Sequence, residues 1–171
     1  MTKKIAAAGL ALSLVIILAP DLSCQAAPIK AFTDSYANSI DHLYRNGMVL
    51  EADINNAVGI LNNSYDFHQV YCLGDLADIL GSITGYLVTI SSLITLSMMM
   101  ENADDQKSVN TMLGFRVRAS LKLLPQAKKV ALDQAVFCSH SALVNSYAQK
   151  TATFLDNTAT MLNDINRRLT Y

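Results

Sequence analysis

The stretch Leu73–Met100 reads LGDLADILGSITGYLVTISSLITLSMMM. Leu73, Leu76, Leu80, Ile83, Leu87, Ile90 and Ile94 recur in it at alternating steps of three and four. That is the seam of a helix whose apolar stripe packs against neighbouring helices. The opposite side carries Asp75, Asp78, Ser82, Gly85, Thr89 and Ser92. A strand would instead alternate at every second residue. The expectation is a long helix laid into a core formed by others.

The flanks repeat the pattern. Upstream, Asp66 with Gln69 has the form of a capping box, preceded by a loop around Asn62–Asp66. Before it, Leu50, Ile54, Ala57 and Leu61 form one apolar face. Asn46-Gly47 reads as a helix stop. It ends a first helix whose face holds Ile29, Phe32, Tyr36, Ile40, Leu43 and Tyr44, with Pro28 near its start. Downstream, Glu101–Asp105 forms a polar loop that caps the next helix, with Asp104-Asp105 read as the cap. That helix places Val109, Met112, Leu113, Val117, Leu121 and Leu124 on one face, and Pro125 breaks or kinks it. From Gln126 to Leu169 there is neither Gly nor Pro, and a break near Ser139–Ser141 is expected because Ser favours caps. The late seam is Thr151, Leu155, Thr158, Leu162, Ile165 and Leu169. The fold class is therefore all-α: a bundle of four or five mostly antiparallel helices with one disulfide, preceded by a signal peptide.

Composition agrees. The 171 residues are 51% hydrophobic and 16% charged, with 7 Gly, 3 Pro and no Trp. That hydrophobic content excludes a disordered chain, and the scarcity of turn residues speaks against a many-stranded β fold. A net charge of −1 gives no field drawing the whole chain to nucleic acid.

Residues 1–26 have the layout of a cleaved secretory signal. Lys3 and Lys4 precede the apolar run Ile5–Ala19, Pro20 ends it, and small residues follow through Ala26. Residues 27–171 then form a single exported domain, periplasmic or secreted. Removal of the signal takes Cys24 with it and leaves Cys72 and Cys138. In an exported chain such a pair reads as a disulfide.

Residues 79–100 hold 22 positions without a charge, so a membrane span is the rival reading, placing the protein in the inner membrane. The charge asymmetry fits a span: residues 28–105 carry 2 basic and 10 acidic side chains, residues 106–171 carry 9 basic and 3 acidic. Two features favour a bundle. Nine of the 22 residues are Gly, Ser or Thr, sorted away from the leucine seam. A span would also hold Cys72 and Cys138 in different compartments. In the bundle reading, acidic early helices pair with basic late ones.

No motif of known catalysis appears: no nucleophile elbow, P-loop, dinucleotide fingerprint or His-Glu-x-x-His. His42, His68 and His140 have no metal-ligand spacing. Cys138-Ser139-His140 lacks further ligands, and an oxidised Cys138 is no nucleophile. Asp75 and Asp78 share a helix face and read as solvated carboxylates near a helix N-terminus. Arg116, Arg118, Lys122, Lys128, Lys129, Arg167 and Arg168 read as a solvated or internally paired surface, not a nucleic-acid site. The expectations are no catalytic residues, no metal and no cofactor. The layout of signal, single cysteine pair and helical body resembles small periplasmic immunity or accessory proteins of bacterial secretion systems, without a shared motif. The function expected is a non-enzymatic, exported bundle that binds another macromolecule, a protein partner rather than nucleic acid. The alternatives are a single-span component of an envelope or secretion assembly, and a carrier of an apolar small molecule lined by residues 73–100.

Overall fold

The structure, a computed structural model, describes residues 32–63 and 66–170. The expected signal segment lies outside these residues. The described chain is all-helical: α1 (Asp34–Asn62), α2 (Phe67–Met99), α3 (Ala103–Phe137) and α4 (Ala142–Leu169). Connections of a few residues between helices this long force each to fold back along its predecessor. Tyr36 near the start of α1 meets Asp164 near the end of α4, and Asp75 near the start of α2 meets Gln134 near the end of α3. The order is thus up-down-up-down. Helix α2 touches all three others, whereas α1 and α3 do not touch.

The caps follow local chemistry. Asp66 accepts from the Gln69 amide at 3.2 Å, which gives the cap expected at α2; the Gln69 side chain donates to the Asp66 carboxylate and not back to the backbone as a full capping box would. Ser141 accepts from the Val144 amide at 3.2 Å and starts α4. At α3 the cap is Asn102, which accepts from the Asp104 amide at 2.8 Å. Asp104 and Asp105 stand in the first turn of α3, where their charge meets the positive end of the helix dipole.

The expected stop at Asn46-Gly47 is absent and Pro125, expected to break or kink its helix, does not end it, so the helices number four. Helix α1 runs through Asn46-Gly47. Gly47 is there because of packing: a Cβ on it would lie 2.5 Å from Thr84 Cγ2 and 2.6 Å from Phe154 Cζ. Helix α3 runs through Pro125. Pro125 is exposed and, with Leu121, lines an open cleft against α4, so solvent reaches the carbonyl it leaves unbonded.

The core is the α2 seam. Leu73, Leu76, Leu80, Ile83, Leu87, Ile90 and Ile94 are all 4% exposed or less. They pack with Ile40 and Ile54 of α1, Leu113 and Val117 of α3, and Leu155, Leu162 and Ile165 of α4. Met112, expected inside, is exposed. Helix α2 is also long and apolar enough to cross a membrane, with a window hydropathy of 1.7 of which 33% is buried.

The expected pairing of acidic with basic helices is not found. Among the described residues, ion pairs lie within one helix or join α3 to α4, as Lys128 to Asp156 at 2.7 Å. Topology explains this: α1, with Asp34, Asp41, Glu51 and Asp53, never reaches α3, with Arg116, Arg118 and Lys122.

One polar clasp closes the bundle between α1 and α4. The Tyr36 hydroxyl donates to Asp164 Oδ2 at 2.6 Å, and the Arg168 guanidinium lies 4.5 Å from the Tyr36 ring centroid. Burial, then the bond to Asp164, pushes the Tyr36 phenol well above its usual range. Hydrogen bonds from Tyr36 and from Arg168 hold the Asp164 carboxyl below the usual carboxylate range. A carboxyl depressed on folding stabilises above its unfolded value of about 3.9 and stops doing so as pH falls through the folded value. We therefore expect Asp164→Asn to lower the thermal midpoint at neutral pH, and the difference from wild type to shrink as pH falls through the folded value of the Asp164 carboxyl. A loss that stays constant across the acid range would show that the carboxylate charge contributes nothing.

Candidate functional site

The residues with distinctive chemistry gather at the end of the bundle where α2 and α4 begin and α3 ends. The Sγ atoms of Cys72 and Cys138 lie 2.07 Å apart, at disulfide distance, with a sequence separation of 66 and Cα atoms 6.7 Å apart. Cys72 sits in the first turns of α2 and Cys138 is the C-cap of α3, its amide donating to the Gln134 carbonyl at 2.9 Å. Both side chains are buried.

Around the sulfurs the three helix ends are tied together. The Ser141 hydroxyl that caps α4 also donates to Gln69 Oε1, whose side-chain amide donates to Asp66 at the cap of α2. Gln134 Nε2 donates to Asp75 Oδ2 at 2.8 Å, linking α3 to α2 one turn below the sulfurs. Asp75 is thus a positioning carboxylate, while Asp78 is exposed. Gln134 Oε1 is buried without a hydrogen-bond partner.

His68 lies against this crosslink. Its Nδ1 is 3.3 Å from Cys138 Sγ, and its ring is tilted 35° on Phe137 with centroids 4.7 Å apart. His68, His140 and Asp66 share a surface cavity of about 210 Å³ with Gln69, Phe137, Cys138 and Ser141. His42 is elsewhere, hydrogen-bonded with Asn46 on the exposed side of α1. Among the described residues no group of three His, Cys, Asp or Glu side chains is arranged to hold a metal ion.

This end exposes large apolar side chains beside polar ones such as His68, Ser139 and His140. Tyr71 is 61% exposed, Val136 75% and Phe137 60%, with Phe67 and Leu143 also exposed. The cysteine pair was legible from the residue count. The aromatic rim was not, because its members come from three helices and its signal is geometric. What the arrangement offers is a stiff apolar surface with imidazoles at its edge. The sulfurs are held beneath it in a form that does not act as a nucleophile.

The basic residues stay apart from this end. Lys107 and Arg118 line a cleft between α3 and the end of α4, near Leu169 and Thr170. Lys128 pairs with Asp156, and Arg167 and Arg168 pair with Asp164. Comparison of the chain with protein-family models, curated proteins and solved structures finds no match.

Proposed function

We propose that this protein is a non-catalytic helical bundle that binds another macromolecule in the cell envelope, in an accessory, adaptor or inhibitor-like role. The observation that supports the reading is the exposed cluster of Tyr71, Val136 and Phe137 on an end held by the Cys72–Cys138 pair. Aromatic side chains on a rigid scaffold are the residues that dominate protein–protein binding energies, because they bury much surface while losing little conformational freedom. Ordering costs are low there, since the caps and the sulfur pair already fix the three helix ends.

A photo-crosslinking residue at position 136, introduced in the producing cell, tests this. The expected result is one discrete adduct with a protein, reduced about tenfold or more by Tyr71→Ala with Phe137→Ala, as truncation of anchor residues does. No adduct, or an adduct indifferent to the double substitution, contradicts the proposal.

A second reading has its own support. The hydropathy of α2 is that of a membrane-crossing segment, which suits a single-span component with residues 79–100 as the span. In that case the protein stays with membranes through carbonate washing; release into the wash argues for the bundle.

A further inference from the structure

His68 and Cys72 stand four residues apart on α2, one turn along the same face. Two side chains at that spacing hold a zinc ion from one helix in the His-Glu-x-x-His motif. A third donor comes from another element: Cys138, the C-cap of α3, whose Sγ lies 3.3 Å from His68 Nδ1. With the sulfurs joined neither is a metal ligand, and among the described residues no three-donor group exists. Parting them leaves two thiols beside an imidazole.

The distances already suit a tetrahedral ion. Zinc bonds of about 2.0 Å to nitrogen and about 2.3 Å to sulfur put those two atoms about 3.5 Å apart and two sulfurs about 3.8 Å apart. The nitrogen–sulfur pair stands at 3.3 Å. The Cα atoms of the two cysteines, 6.7 Å apart, are at the wide end of the range of about 4.4–6.8 Å for bonded pairs. Rotation of the side chains therefore parts the sulfurs without moving the backbone. The Phe137 ring, 4.7 Å away, keeps the imidazole over the sulfur. A joined sulfur is only a weak acceptor, so His68 Nδ1 faces an atom that gives it little. Cys138 and His68 both line the surface cavity of about 210 Å³, which opens a route to the sulfur and leaves a fourth position for water.

We propose that the reduced form of this chain binds zinc, or a thiophilic cation of the same class, through Cys72, Cys138 and His68. A dithiol reductant opens the site: the bond between the sulfurs breaks, the dithiol closes its own, and its two protons pass to Cys72 and Cys138. The ion then displaces those two protons to solvent and is held by two thiolates and the neutral imidazole. The same three residues thus serve as a covalent tie when oxidised and as a metal centre when reduced. The site needs no partner protein, so it stands or falls separately from the binding proposed for the aromatic rim.

Titration of the full chain with cobalt(II), without oxygen and after reduction by a phosphine, tests this. The reduced wild type is expected to take up one ion per chain, with a thiolate-to-cobalt charge-transfer band and the strong visible bands of four-coordinate cobalt. Zinc should displace it. The oxidised chain should show neither band. His68→Ala, at an exposed position, should keep the helix content of the oxidised chain yet weaken zinc binding to the reduced chain about tenfold or more. Zinc at about a thousandfold over its Kd should also return the reduced wild type to near the thermal midpoint of the oxidised chain, and do nothing for Cys72→Ala with Cys138→Ala. If reduction alone melts the helices, zinc is expected to restore them. A reduced chain that shows no charge-transfer band, as when the Cys138 thiol donates to the His68 carbonyl 3.5 Å away instead, overturns the proposal. So does zinc affinity unchanged in His68→Ala, or helix lost on reduction that zinc does not restore.

Discussion

Replacing Cys72 and Cys138 together by alanine is expected to lower the stability of the fold by about 4 kcal/mol, the chain-entropy value for a loop of this length. For a domain of this size that shifts the thermal midpoint by on the order of 10 °C. The two sulfurs join residues 66 apart and hold the start of α2 to the end of α3. Without the link the unfolded chain gains freedom, while the native caps at Asp66 and Ser141 keep their hydrogen bonds. The loss should therefore appear in the midpoint and not in the helix content of the folded state. Alanine is the right replacement because both side chains are buried and a serine hydroxyl would add an unbonded polar group. Reductant should reproduce the shift in wild type and do nothing to the variant. An equal midpoint for wild type and variant in non-reducing buffer would mean that the sulfurs are not joined in solution.

A second large loss is expected at Gly47. Alanine there gains about 1 kcal/mol in helix propensity, yet its Cβ would overlap Thr84 Cγ2 and Phe154 Cζ. Neither neighbour yields easily: both are buried, and the Thr84 hydroxyl donates to the Gly81 carbonyl at 3.1 Å, which holds its rotamer. Overpacking of this kind costs about 1–3 kcal/mol, so Gly47→Ala should be net destabilising and Gly47→Leu strongly so. The double-mutant cycle with Phe154→Leu identifies the cause. Shortening the ring should shrink the cost of Gly47→Ala, giving a coupling of about 1 kcal/mol or more. An additive cycle would place the strain elsewhere.

These two sites mark the limit of what local pattern reveals. The α2 seam, the α4 seam and the Asp66 cap were readable because each is set by spacing along one helix. Asn46-Gly47 was misread because glycine and asparagine are the usual helix terminators. Here the glycine answers a demand from α2 and α4, which lie distant in sequence. Pro125 leaves α3 unbroken for a related reason. A proline breaks a helix when its unbonded carbonyl is buried, and exposure is a property of the assembled bundle. The expected ion pairs failed on topology, since charge totals say nothing about which helices touch. At the candidate site, Cys72 and Cys138 could be matched by counting. The stacking of Phe137 on His68 and the bond from Ser141 to Gln69 depend on three chain ends converging, which no single segment encodes.

The account rests on the leucines and isoleucines of α2 being covered by α1, α3 and α4 in water. Hydrogen exchange of the purified chain in detergent-free buffer measures this directly. The amides of α2 between Cys72 and Ser97 should be the slowest in the molecule, opening only with global unfolding. If the α2 amides exchange as fast as the ends of α1, or become protected only when detergent or lipid is added, the helix is not the core of a bundle.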